Sequence, residues 1–330
     1  MPVFTGEAPE PVALERKVFS TVGLPAARRT ESWESYNAAA LIGLDVRVAG
    51  PLDAVEVNVQ LPRVRLARVS GSAHAIERSA AAIARWPSES VAIYLALRGD
   101  ASFTSADGTR ELRPGDALVC AADQPFARGF ARGLEELVVT VPCSAILPYA
   151  DPSRLRQPAI TSFRAVGGTG PRGGTRQYAR ALARLAGRAT AGEHPLPPDE
   201  HTVLDLAAVL VAGRDVAVAT AHRVAAQCYI EEHFTDPGLS AQQIAAATGI
   251  SERQLSRVFA ADGTSVPRHI LARRLRLAYS VLAAPPSDEA RATVAEVAAR
   301  CGFTSTAYFS HVFRQHFGLR ASDLRHGTPG

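Results

Sequence analysis

Apolar residues alternate with polar ones, or gather in short runs, over much of the first half of the chain, and recur every three or four positions over its last hundred residues. The runs Val55-Glu56-Val57-Asn58-Val59, Val64-Arg65-Leu66-Ala67-Arg68-Val69, Ala92-Ile93-Tyr94-Leu95-Ala96-Leu97 and Leu137-Val138-Val139-Thr140-Val141 therefore read as strands. Ahead of them, Trp33, Tyr36 and Ala40 share a helical stripe, which predicts a helix from Ala26 to about Ala40. Residues 1 to 25 are Pro-rich and aperiodic and predict a flexible arm. Asp107-Gly108, between "ASFTS" and "TRELR", signals a short hairpin.

From about Pro142 the strands give way to prolines and a glycine-rich stretch over 167–174. Two helical patterns follow: "TRQYARALARLAGRA" with Tyr178, Leu182 and Leu185 on one stripe, and "HTVLDLAAVLVAG" with Val203, Leu206, Leu210 and Val211. Their apolar stripes either pack on the preceding domain or form a dimerisation face. The expected division is an arm over 1–25, a β-rich domain over 26–165, a helical linker over 166–221 and a helical domain over 222–330.

That last domain contains one device twice, about fifty residues apart. The first copy reads Ile244 to Ser251 and continues through Leu255, Val258 and Phe259; the second reads Val297 to Thr304 and continues through Phe309, Val312 and Phe313. In each, a short helix carries an alanine, Ala245 or Ala298, and a glycine four residues later, Gly249 or Gly302, permits the positive φ of a sharp turn. A second helix begins at once, as in a helix-turn-helix whose second helix enters a DNA major groove. Ser240 with Gln243, Ser251 with Gln254 and Thr293 with Glu296 predict capping boxes at three of the four helix starts. His222 to Phe234 reads as an opening helix, closed by Asp236-Pro237-Gly238. Pro267 suits the first turn of a helix running to about Ala283, which at 1.5 Å per residue spans roughly 25 Å. Readers held that far apart could enter successive major grooves, which repeat every ~34 Å.

The stretch "AEVAARCGFTSTAYFSHVFRQHFG", Ala295 to Gly318, resembles the C-terminal signature of the AraC/XylS transcription regulators, with Ala321 and Leu324 where that family usually has a proline and an aromatic. The segment Leu112 to Val119, with Pro114-Gly115-Asp116 at its turn, resembles the turn and strand of cupin-like β-barrels, which form the effector domain in that family. The resemblance implies an α+β chain: an N-terminal cupin-like barrel, a helical linker, and an all-α DNA-binding domain of two helix-turn-helix units joined by a long helix. It further implies an effector-responsive activator acting on double-stranded promoter DNA and RNA polymerase, with a small-molecule effector and homodimerisation as further partners.

With Leu255, Val258 and Phe259 facing the core, the first recognition helix turns Arg253, Ser256 and Arg257 outward. Arginine can pair with O6 and N7 of guanine. Gln254 suits adenine and suits its capping box equally. On the second helix Thr306, Ala307, Ser310, His311 and Arg314 point outward. The family's base-reading positions fall on Arg253, Ser256 and Arg257, and on Thr306, Ala307 and His311; the second set is poorer in donors, so the first unit is expected to carry most discrimination. Arg273, Arg274 and Arg276 on the linking helix fit either phosphate contacts or an ion-paired face.

Charge changes this picture little. From His222 onward twelve arginines face nine acids, which leaves the DNA-binding half modestly basic. Lys17 is the one lysine, a bias that with abundant alanine reads first as GC-rich coding. The cysteines, Cys120, Cys143, Cys228 and Cys301, have no CxxC spacing and read as free thiols of a reducing cytosol. No leader or membrane-length apolar run is evident, so a cytoplasmic protein with no membrane partner is expected. Against an enzyme, the barrel region offers His74 without an HxH and following Glu, and no phosphate loop or nucleophile elbow is found, so neither catalysis nor a cofactor is expected. Two other readings stay open: a DNA-binding regulator whose barrel only dimerises or docks a partner, and a cupin-type enzyme.

Overall fold

The computed structural model describes residues 15–164, 175–192, 198–213, 217–283 and 292–326. They fall into two compact units, one made of Glu15–Ala191 with Glu200–Ala217, the other built on Val218–Gly330 with Gly192–Asp199.

The first unit is a pair of antiparallel sheets. In chain order it contains β1 (Glu15–Ser20), α1 (Arg29–Ala40), β2 (Asp45–Arg47), β3 (Ala54–Gln60), β4 (Arg65–Gly71), β5 (His74–Arg78), α2 (Ala80–Arg85), β6 (Ser90–Arg98), β7 (Ala101–Ser105), β8 (Gly108–Leu112), β9 (Asp116–Ala121), β10 (Phe126–Phe130), β11 (Leu134–Pro142), α3 (Cys143–Ile146), β12 (Ala159–Ser162), α4 (Thr175–Thr190) and α5 (Glu200–Ala212). One sheet runs β1-β3-β4-β11-β6-β9-β12 and the other β2-β5-β10-β7-β8. Period-two alternation sets the inner face: His74, Ile76 and Arg78 of β5 and Phe126, Arg128 and Phe130 of β10 are buried while their neighbours are half-exposed. Trp33, Leu52, Tyr94, Phe103, Leu118, Phe126 and Phe130 fill the core between the sheets. The hairpin forms as expected, with Ser105 opposite Gly108, and Gly115, at φ +91°, makes the turn into β9.

A buried ion pair lies among these apolar groups. Arg128 Nη1 and Nη2 donate to the two carboxylate oxygens of Glu136 at 2.8 and 2.7 Å, and the guanidinium lies 4.1 Å from the centre of the Tyr94 ring. The paired geometry offsets the cost of taking two charges out of water.

One expectation about this half needs correction. Residues 15–20 are an edge strand: β1 pairs antiparallel with β3 from Glu15 opposite Gln60 to Ser20 opposite Val55. The remainder of the predicted arm, 1–14, lies outside the described residues, as does the glycine-rich stretch. β12, at the end of the expected β-rich domain, pairs with β9, and of the two alternatives for the linker helices the structure has the first, since both belong to the sheet unit. There α5 is buried along every residue from Thr202 to Ala212, so what reads as an apolar stripe is a helix of the core.

The second unit contains α6 (Val218–His233), α7 (Ala241–Thr248), α8 (Glu252–Ala260), α9 (Val266–Ala283), α10 (Val294–Arg300), α11 (Thr306–Phe317) and α12 (Ala321–His326). Two apolar clusters form around α9: Ile230, Phe234, Ile244, Leu255 and Phe259 pack with its Val266 and Ile270, and Val297, Phe303, Phe309, Val312 and Phe313 with its Leu275, Ala278 and Leu282. Ala321 is buried and Leu324 packs against the second cluster, so both fill the places where the resembled family has a proline and an aromatic. Residues 284–291, between α9 and α10, lie outside the described residues. Among the described residues, no helix is long and apolar enough to cross a membrane.

Candidate nucleic-acid interface

Each helix pair is joined by the same local geometry. Gly249 closes α7 at φ +72° and Gly302 follows α10 at φ +85°, a backbone state open to glycine at little cost. The residue after each glycine donates back to the alanine: Ile250 N to Ala245 O at 3.1 Å and Phe303 N to Ala298 O at 3.0 Å, the closing bond of a Schellman turn. Because the glycine lies two residues before the next cap in the first unit (Ser251) and three before it in the second (Ser305), each second helix starts at once after the turn.

All three expected capping boxes are formed, at Ser240, Ser251 and Thr293. The fourth start, at Ser305, is a simple cap in which its hydroxyl accepts from Tyr308 N at 3.2 Å. Helix α8 buries Leu255 and Phe259, and α11 buries Phe309, Val312 and Phe313. The opposite faces are open: Arg253, Gln254, Ser256 and Arg257 on α8, and Thr306, Ala307, Ser310, His311 and Arg314 on α11, are all exposed. The guanidinium groups of Arg253, Arg257 and Arg314 have no hydrogen bond or ion pair among the described residues, which leaves their donors available to another molecule. Gln254 differs, since its Oε1 accepts from Ser251 N at 3.1 Å and from Ser251 Oγ at 3.2 Å. Two-pronged pairing with adenine would need that same oxygen.

The arginines of α9 do not belong to this open surface. Arg273 is fully buried in an ion pair with Glu231 of α6, Arg274 donates to the carbonyls of Phe234 and Asp236, and Arg276 pairs with Asp199 at 2.6 Å. Their helical spacing gives no hint of this, because each partner is about 40 to 80 residues distant. Tyr308 was not singled out from the sequence. It is 54% exposed in the first turn of α11, and an aromatic beside core Phe309 reads in sequence as core. Elsewhere, His74 is buried with Nδ1 2.7 Å from Ser72 O, and its pKa is lowered by that burial. No group of three His, Cys, Asp or Glu that could hold a metal is found among the described residues.

A family model described as a helix-turn-helix domain matches residues 244–327, and one described as an AraC-binding-like domain matches residues 33–213. The chain is 35% identical over 97 residues to the transcriptional activator RhrA of Rhizobium meliloti (strain 1021), a match covering 29% of this chain and 30% of that protein. It is 31% identical over 103 residues to the HTH-type transcriptional activator RhaS of Escherichia coli (strain SE11), covering 31% of this chain and 35% of that one. Only about a third of each relative's length is therefore matched. Among solved structures, the AraC-like transcriptional activator CuxR aligns over 81% of this chain and 96% of its own, at 20% identity and a TM-score of 0.47.

Proposed function

The chain belongs to the AraC family of transcription regulators, and from that premise we propose that it is a sequence-specific, effector-responsive activator whose two helix-turn-helix units read adjoining major grooves of promoter DNA. One observation carries this reading: Arg253 and Arg257, exposed and without an ion pair among the described residues, stand on a helix whose other side is sealed by Leu255 and Phe259. Two such guanidiniums on one exposed helix face match the guanine edge in the major groove.

In this reading Arg253, Ser256 and Arg257 supply most base discrimination. Thr306, Ala307 and His311 supply less, while Ser310, Arg314 and Tyr308 make flanking or phosphate contacts. Gln254 serves chiefly as a cap, with its amide nitrogen still able to donate. Where the resemblance implies an effector, a cavity of about 610 Å³ supports one; it is lined by Val48, His74, Ala101, Gly129 and Phe130 on the sheet unit, within the range that suits a small organic molecule. An effector acts only by binding one arrangement of the protein better than another. RNA polymerase and a second copy of the chain are the remaining partners, and the cytoplasm the place of action. The barrel that merely docks a partner is the alternative.

Selection of bound duplexes from a random pool by the full-length protein, at two salt concentrations, tests the proposal. A single enriched asymmetric site whose affinity falls steeply with salt is expected. Uniform recovery of all sequences would refute it.

A further inference from the structure

The two reading units touch at a place that the repeat itself does not explain. Arg274 of α9 extends its guanidinium across the C-terminal end of α6, where Nε donates to Phe234 O at 2.7 Å and Nη2 to Asp236 O at 2.7 Å. A cation at the C-terminal end of a helix is well placed there. The turn of the second unit presses on the same spot: a Cβ added to Gly302 would lie 2.8 Å from Thr235 O and 3.0 Å from Arg274 Nε. The equivalent glycine of the first unit, Gly249, has a similar φ but nothing within 4 Å of such an atom. Gly302 is thus required twice, once by its own turn and once by the closeness of the other unit.

From this contact we infer that Arg274 is a positioning residue for DNA reading, which clamps the 234–236 turn of the first unit against the Gly302 turn of the second and thereby sets the half-site spacing the protein accepts. A single helix such as α9 fixes how far apart two units sit along its axis but resists their rocking about it poorly. A contact off the axis removes that freedom. The required precision is high, since one added base pair moves a half-site by roughly 3.4 Å and turns it by about 35°. The inference rests on the DNA-binding reading above.

The test uses the full chain and the duplex it selects from a random pool, together with two versions carrying one base pair more or one fewer between the half-sites. Wild-type protein is expected to lose about tenfold or more in affinity on either altered duplex. Arg274→Ala is expected to bind all three within about threefold of one another, with an unchanged salt slope, because the guanidinium is engaged by the two carbonyls. Arg274→Lys, which keeps the charge but cannot fork to both carbonyls, should fall between, and it carries the test if the alanine variant does not fold. Gly302→Ala should relax or shift the spacing preference, whereas Gly249→Ala, strained in its own turn only, should weaken all three duplexes alike. Retention of the wild-type spacing preference by Arg274→Ala, or a salt slope lower by about one, overturns the inference. So does a wild-type protein that selects a sequence yet tolerates every spacing. A wild-type protein that selects no sequence defeats the underlying DNA-binding reading instead, and the inference with it.

Discussion

Arg273 and Glu231 form an ion pair with side chains 0% and 1% exposed, the innermost tie between α9 and α6. Arg273 Nη2 reaches Glu231 Oε2 at 2.8 Å, its Nε also donates to the same carboxylate, and the guanidinium lies 4.8 Å from the centre of the Phe234 ring. Removing one partner leaves the other charge buried without its paired counter-charge. Glu231→Ala is therefore expected to destabilise the helical unit by about 3–5 kcal/mol. Both tryptophans, Trp33 and Trp86, lie in the sheet unit. Denaturation should show helical ellipticity lost earlier than in wild type while tryptophan fluorescence holds; coincident, unshifted transitions would contradict this account.

Arg257 tests the reading surface directly. Arg257→Ala should cost about 1–3 kcal/mol on the selected duplex and relax preference at one base position. Binding to a panel of single-base variants is the measurement. Equal weakening on every sequence, with a salt slope lower by about one, would mean a phosphate contact in place of a base contact.

Gln254 lies one residue from Arg253 but has another task, because both bonds to its Oε1 come from Ser251. Gln254→Ala should lower stability by roughly 0.5–1 kcal/mol, as loss of part of a cap does, and leave the selected sequence unchanged. Loss of an adenine preference in a repeated selection would assign it to base reading.

Glu56 makes the sheet unit sensitive to pH. Burial pushes its carboxyl up to about 7, against the opposing pull of the hydrogen bond from Asn58. An unfolded glutamate titrates near ~4.3, so between those values the folded state holds a proton that the unfolded state has released. Stability from this group therefore falls as pH rises from about 4.3 to 7 and levels off above. Glu56→Gln should flatten that slope and, at pH 8, raise stability by roughly 1–3 kcal/mol. Tryptophan-detected denaturation at pH 5 and pH 8 measures it, and an unaltered slope in the variant would rule Glu56 out as its source.

What the sequence determined by itself was local. Hydroxyl and amide residues three apart became capping boxes, Gly249 and Gly302 became left-handed turns, and the spacing of Leu255 with Phe259 and of Phe309 with Phe313 turned Arg253, Arg257, Thr306 and His311 outward. Each of these follows from backbone geometry within a few residues, which a linear pattern can carry. Tertiary structure alone decided the fate of charges and edges whose partners lie far along the chain. Arg273, Arg274 and Arg276 share a helix with the look of a phosphate-binding face, yet each is engaged by a partner from another segment. The aperiodic stretch at 15–20 became a strand because β3 offered an open edge. Arg128 and Glu136, polar in sequence, went to the core because they could meet there as a pair. A charge is buried or exposed according to whether a counter-charge is brought within reach, and that depends on packing that no short window of sequence contains.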